Sequence, residues 1–380
     1  VRSRLQRGAL YAGGFLGPFG GGVVISMLPE MGADLGVSAA TAASTVTAYL
    51  LPFAALMLIS GTYGARWGRL RTVRVAYGGY VLASLLCALA PTFEVFLAGR
   101  VLQGAGNAFT TPLLLAALAA VTPRAKLGRA LGTFGALQAA GMTTAPIVGG
   151  LAAEFEWRLA FVVIAAVALA LGAAGLPASS EHATTGPPPR LRDALRPTVL
   201  RIGVVSLLGW GALGGVNFLI AFRAEDAFGL EPASRGLLLT GFGIVGMLVA
   251  RPVGDLIDRY GARTAVLVGS IGGAATVIAS GLVGSLAVVA VAWALAGAAS
   301  QLVLVGVNAS ILAGTGANRG GAVSVVQAFR FGGGALAPLL LTPLYSVSPA
   351  AAFLVPTTAL AVLAPLLMPR NGHTAAPERN

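Results

Sequence analysis

"GDLIDRYGAR", residues 254–263, places two acids and two arginines in ten residues between long apolar runs. A related stretch, "GTYGARWGRL", occupies 61–70, and Gly61, Arg66 and Gly68 stand 193 positions before Gly254, Arg259 and Gly261. That offset is close to half of the 380 residues. A charged, glycine-bounded turn that recurs half a chain apart points to a duplicated unit. Glycine lets such a turn pack tightly and take unusual backbone angles. Arginine stays at one membrane face, and an adjoining aspartate can form an ion pair that breaks and reforms.

The flanking runs explain the setting. The chain is 56% hydrophobic and 10% charged, with 53 glycines. A soluble chain of this size could not hide so much apolar surface, whereas glycine mixed with Ala, Leu and Val suits helices packed in lipid. The net charge of +12 does not indicate nucleic acid, because the arginines occur in small groups in short loops. Apolar segments fall at 8–28, 42–62, 72–91, 94–121, 128–152, 158–177, 199–222, 235–257, 263–283, 285–313, 320–345 and 349–368. Each is long enough to cross about 30 Å of hydrocarbon. They are numbered here as spans 1 to 12. The break at 285 rests on "GLVGSLA" alone, since 264–313 carries no charge. Barrel strands would be about ten residues long and alternate in polarity, so the spans are helices.

Arginine placement predicts orientation. With both termini cytoplasmic, 20 of the 25 basic residues fall on the cytoplasmic side, while Arg158, Arg223, Arg235 and eight acids fall outside. The expected location is the inner membrane, multi-pass, with "VRSRLQRGAL" belonging to a retained first helix because no A-x-A cleavage site follows it. The polar stretch "ASSEHATTGPPPRLRDALRP" reads as a cytoplasmic linker, 178–197, between six-helix bundles at 1–177 and 198–380.

Enzyme chemistry is poorly supplied. Cys87 is the one cysteine and lies in an apolar run, so it reads as a buried structural thiol. No His/Cys/carboxylate cluster has metal spacing, no P-loop is present, and no cofactor is expected. "GFGIVG", 241–246, matches G-x-G-x-x-G but lies inside a membrane-length run, where it reads as small-residue packing.

The half-chain offset recurs. Gly104 stands opposite Gly297, 193 apart, and "GRALGTFGALQAAGMTTAPIVGG" at 128–150 lies over "GGAVSVVQAFRFGGGALAPLLLT" at 320–342 with an offset of 192. That pairs Gly141 with Gly333, Pro146 with Pro338 and Gln138 with Arg330. Two bundles related by a pseudo-two-fold axis make a transporter plan, with the substrate between them near the midplane.

These residues resemble the major facilitator superfamily, in its drug–proton antiporter branch. The resemblance covers essentially the whole chain. The family's loop motif G-x-L-x-D-R-x-G-x-R stands complete as Gly254, Leu256, Asp258, Arg259, Gly261 and Arg263. The motif of span 4 is Arg100, Gly104 and Gly106. The exporter motif of span 5 is Gly141, Pro146, Gly149 and Gly150, with Ala145 in place of the glycine before proline. The resemblance implies a latch made by Gly61, Arg66, Gly68, Gly254, Asp258, Arg259, Gly261 and Arg263. In the first copy Ala65 replaces the family aspartate, which implies a weaker latch there and more of the task on Asp258. It also implies proton coupling at Arg100.

Arg100 and Arg330 lie deep in apolar spans, where a charge is costly and usually functional. No acid lies as deep, so Asp34, Glu30 and Asp258 are the remaining proton-coupling candidates. Asp34 also reads as a helix cap. Candidates for substrate contact are Arg330, Gln103, Asn107, Gln138, Asn217, Gln301, Asn308 and Gln327, with Tyr49 and Phe53. Each amide could equally satisfy a neighbouring helix. "GFLGPFGGG" in span 1 is deformable enough to gate, or simply packs closely. The expected activity is export of a small organic compound by proton antiport, by a protein that works as a monomer in the bilayer. Uptake of an organic anion with protons, and a transport-inactive sensor or scaffold, remain the alternatives.

Overall fold

The computed structural model describes residues 2–177, 195–313 and 319–369, excluding the side chains of 2–4, 61–66, 119, 124–129, 131–132, 312 and 319–321. Most of the expected linker, 178–194, therefore lies outside the described residues. All regular structure among them is helical, and each expected span coincides with one helical rod. Span 1 is Arg2–Gly22, Ile25–Met27 and Leu28–Asp34; span 2 is Ala39–Ala42 and Ser44–Trp67. Spans 3 to 6 are Arg69–Ala88, Phe93–Val121, Arg124–Phe155 and Arg158–Ala174. Span 7 is Pro197–Gly209, Trp210–Gly214 and Asn217–Asp226. Spans 8 to 12 are Pro232–Tyr260, Ala262–Leu282, Leu286–Leu312, Arg319–Val347 and Pro349–Leu367. The uncertain division at 285 falls where a helix ends at Leu282 and the next starts at Leu286.

By length and composition, 9 of the described helices can cross a membrane, and Arg158–Ala174 is apolar but shorter. Span 3 opens with Arg69, Arg71 and Arg74, which lowers its apolar content. Large apolar side chains such as Val75, Leu82, Leu248 and Leu366 are exposed on the outside of the bundle. A helix satisfies its own backbone groups, so an apolar exterior costs nothing in lipid. The protein is a multi-pass membrane protein.

The packing repeats by six spans. Span 2 packs on 4, 3 on 4, 1 on 5 and 3 on 6; correspondingly 8 packs on 10, 9 on 10, 7 on 11 and 9 on 12. The halves meet through span 5 against 8 and, symmetrically, 11 against 2. Odd spans run away from the face where the described chain starts and even spans return. That face is termed the terminal face, and the opposite one the far face.

Glycine sets the approach distances. A methyl on Gly104 would overlap the carbonyl oxygen of Tyr49, and one on Gly297 that of Phe242, 193 residues later in both partners. Gly141 meets the Phe15 carbonyl, and Gly333 that of Leu207, 192 later in both. The turns repeat as well: Gly68 has φ 86° and Gly261 φ 84°, a region closed to most side chains. Gly254 departs from the expectation of tight packing, since a methyl there would meet open space.

Besides the short break at Ala43 in span 2, two spans change helix type. Span 1 leaves the α-helix after Gly22 and passes through a short 3-10 turn. Span 7 carries a π-helix at Trp210–Gly214, where Gly215 N donates to the Trp210 carbonyl at 2.6 Å. Such one-turn π segments often mark functional positions.

Gly104→Ala and Gly297→Ala are expected to force paired spans apart at a cost of about 1–3 kcal/mol each. Gly78→Ala, with nothing within 4 Å of the new methyl, is the control. Melting of the purified variants in one detergent checks this; equal melting temperatures for all three would contradict the packing account.

Candidate functional site

Arg100 lies 0% exposed inside the first half. Its Nη1 donates to the Gly20 carbonyl at 2.9 Å and to Gln103 Oε1 at 2.8 Å. Its Nη2 reaches the Gly21 carbonyl at 3.3 Å, and Nε that of Thr45 at 3.5 Å. These glycine carbonyls come from the last turn before the helix of span 1 breaks, where the backbone ladder no longer claims them. Tyr49 covers the guanidinium at 4.4 Å and donates its hydroxyl to Gly17 O at 2.9 Å. Gln103 donates to Ser84 Oγ at 2.8 Å. Arg100, Gln103 and Tyr49 thus tie spans 1, 2, 3 and 4 together, and no carboxylate joins them among the described residues. Asn107 is buried beside them and accepts from Thr110 Oγ1 at 3.0 Å.

The second buried charge is Arg235, which the sequence reading sets at the outer end of span 8. Span 8 starts at Pro232, after Glu231 in the N-cap position, so Arg235 stands a turn inside the helix and is 1% exposed. The Glu-Pro step is the signal that could have placed it, because proline favours the first helical position. Arg235 pairs with Glu30 of span 1 and, at 3.3 Å, with Glu225 of span 7. It also donates to the Ser26 carbonyl at 3.2 Å through Nη2. Ser26 Oγ donates to the Pro146 carbonyl at 2.6 Å. Here, on the far face, span 5 reaches span 8: a methyl on Gly150 would overlap Pro232 O, and one on Gly236 would overlap Pro146 O. The exporter-motif residues Gly141, Pro146, Gly149 and Gly150 therefore form the ridge of span 5 that touches both span 1 and the other half.

Further inter-half bonds continue this seam. Ala233 N donates to Glu154 at 3.3 Å, Thr143 to Met247 Sδ at 3.5 Å, and Thr47 to the Ala335 carbonyl at 2.5 Å. Phe53 meets Phe331 edge-on at 4.8 Å near the middle of the bundle. These inter-half bonds lie between this level and the far face.

The third charge, Arg330, is 9% exposed. Trp210, from the π-helix, covers it at 3.9 Å, and Phe331 lies 5.2 Å away. It lines a crevice with Ser206 and Ser300. Its Nε and the Oε1 of Gln327 are buried without a hydrogen-bond partner. Trp210 was not singled out from sequence; its signal is a large indole in the glycine-rich run "GWGALGG".

The remaining candidates are dispersed. Asp34 accepts from Trp157 Nε1 at 3.2 Å and pairs with Arg158, entirely within the first half. Asp258 is exposed and makes no ion pair among the described residues. Arg263 donates to the Pro365 carbonyl at 3.0 Å, within the second half. Arg259 is exposed, and the side chains of Gly61 and Arg66 lie outside the described residues. Gln138, Asn217, Gln301 and Asn308 are half-buried. A cavity of about 320 Å³ at the terminal face, lined by Arg7, Tyr11 and Thr122 among others, involves none of the candidates. Among the described residues no His/Cys/Asp/Glu group could hold a metal.

Comparison with known proteins places this arrangement. The model of the Major Facilitator Superfamily matches residues 10–224 and 202–380. The puromycin resistance protein pur8 of Streptomyces alboniger is 34% identical over 235 residues, covering 60% of this chain and 43% of that protein. The MFS-type transporter EfpA of Mycobacterium tuberculosis is 35% identical over 150 residues, 39% of this chain and 28% of its own length. The matched part thus spans less than half of each relative. A crystal structure of the nucleoside transporter NupG superposes with a TM-score of 0.78 at 13% identity, covering 96% of this chain and 99% of that one. This last likeness concerns the fold alone.

Arg235→Gln and Glu30→Gln each remove a pairing that holds the far face shut. In a Cys87→Ala background, Thr143→Cys is expected to react several-fold faster with an impermeant maleimide when either substitution is present. Unchanged labelling would contradict a closing role for the pair.

Proposed function

Because the chain belongs to the Major Facilitator Superfamily and is a transport protein, not an enzyme, we propose that it exports a small organic compound in exchange for protons by alternating access. The observation that carries this reading is the one-sided seam: the halves are bonded from the bundle centre to the far face, through contacts that can part as a set. With the terminal face cytoplasmic, as the arginine distribution supports, this is the state closed to the outside. The location is the inner membrane, and one chain suffices, since the seam lies within it.

Glu30 is the acid that best fits proton sensing. It alone of the three acidic candidates bridges the halves, and it shares Arg235 with Glu225. Neutralising Glu30 removes one of the two carboxylate charges facing Arg235 and weakens the contact between the halves there. Asp34 is held within one half, and Asp258 takes no part in the seam. The name of pur8 motivates puromycin as a first probe. The unpaired Arg330 favours a second reading, proton-coupled uptake of an organic anion.

Inside-out vesicles containing the protein are expected to accumulate labelled puromycin, or a member of a panel of organic anions and neutrals, when the lumen is acidic. A protonophore should abolish this accumulation. Accumulation only under the opposite gradient would overturn export in favour of uptake. Absence of flux under every gradient would overturn transport in favour of a sensor.

A further inference from the structure

Of the three buried arginines among the described residues, Arg100 and Arg235 are held by several acceptors, whereas the buried Nε of Arg330 has no hydrogen-bond partner. A guanidinium carries five donors and keeps its charge under all ordinary conditions. Leaving it unpaired in an apolar bundle is costly. Trp210 and Phe331 attract its face, but a ring cannot accept along the edge where the N–H groups point. Gln327, one helical turn earlier, brings an amide oxygen that is buried and without a donor. Residues three apart share a helix face. Span 11 therefore presents one buried unpaired donor, Arg330 Nε, a turn from one buried unpaired acceptor, Gln327 Oε1.

We infer that Arg330 and Gln327 form the binding subsite for an aromatic carboxylate that carries a neighbouring hydroxyl or amide N–H. The carboxylate accepts from the fork of Arg330, the geometry that guanidinium matches best. The adjacent O–H or N–H donates to Gln327 Oε1. Trp210 and Phe331 supply the aromatic wall. This inference rests on the transport reading and names the substrate class for it.

Two features tie the subsite to the moving parts. Phe331, next in sequence to Arg330, is the ring that meets Phe53 of the other half, so a ligand here touches the mid-bundle end of the seam. Trp210 stands at the start of the π-helix. The crevice in this conformation holds about 10 Å³, the room of roughly one water molecule. A carboxylate enters when Trp210 swings aside, and the π-helix is the segment of span 7 suited to that movement. The first half supplies no counterpart, because Gln138 occupies the position equivalent to Arg330.

The test is melting of the purified full chain, followed by exposure of the buried Cys87, with salicylate, benzoate, salicylamide and inorganic phosphate as probes. Salicylate is expected to raise the melting temperature most, benzoate less, and salicylamide not at all. Arg330→Gln should raise the half-saturating salicylate concentration at least tenfold, and Gln327→Leu should erase the preference over benzoate. Equal protection by salicylamide or phosphate, or unchanged affinity in Arg330→Gln, overturns the assignment. Should Arg330→Gln fail to fold, Arg330→Lys keeps the charge without the fork, and unchanged affinity there overturns it equally. Binding is read without flux. A protein that binds salicylate through Arg330 but moves nothing sinks the transport reading alone; one that moves a substrate yet ignores carboxylates sinks this inference alone.

Discussion

A guanidinium inside an apolar bundle must find acceptors, and the three buried arginines meet that demand in three ways. Arg100 takes backbone carbonyls where span 1 breaks its helix, so a charge and a kink stabilise each other within one half. Arg235 takes two carboxylates and two carbonyls, Glu30 and Ser26 from the first half and Glu225 and Leu230 from its own, so part of its pairing depends on the halves touching. Arg330 takes the faces of Trp210 and Phe331, and its Nε is left without an acceptor. The same physical requirement yields a tie within one half, a contact between the halves and a charge held by aromatic rings.

Glycine makes the closure possible. Gly150 and Gly236 let spans 5 and 8 approach until their backbones nearly touch, which brings Glu30 and Arg235 within pairing distance. Within each half, Gly104 and Gly297 do the same for helix pairs that are not expected to part. The two contacts between the halves are symmetry equivalents, 5 with 8 and 11 with 2. Both contacts can therefore open by one rigid rotation.

Much of this fold was legible in the sequence. Apolar length identified the spans, and the 193-residue offset paired Gly104 with Gly297, which the structure sets against the equally spaced carbonyls of Tyr49 and Phe242. The positive φ at Gly68 and Gly261 follows from the turn motif itself. The site was less legible. Arg158 and Arg235 stand in the sequence at the outer ends of spans 6 and 8, and what it hides is their pairing, with partners 124 and 205 residues away. Gln103 and Tyr49 look like substrate ligands in one dimension but are consumed by Arg100, which only three-dimensional bookkeeping of donors reveals. Arg330 stands out for the opposite reason, since its Nε is left without an acceptor.

The central claim is that the two halves close alternately at the two faces. The most direct measurement uses spin-label distances in lipid nanodiscs, with one pair at Phe155→Cys and Glu231→Cys on the far face. A second pair, at Arg71→Cys and Thr264→Cys, reports the terminal face; all four positions are exposed. The account predicts a short far-face distance in the resting protein. Acidification should lengthen it while shortening the terminal-face distance. Distances that stay fixed, or that lengthen together at both faces, would contradict it.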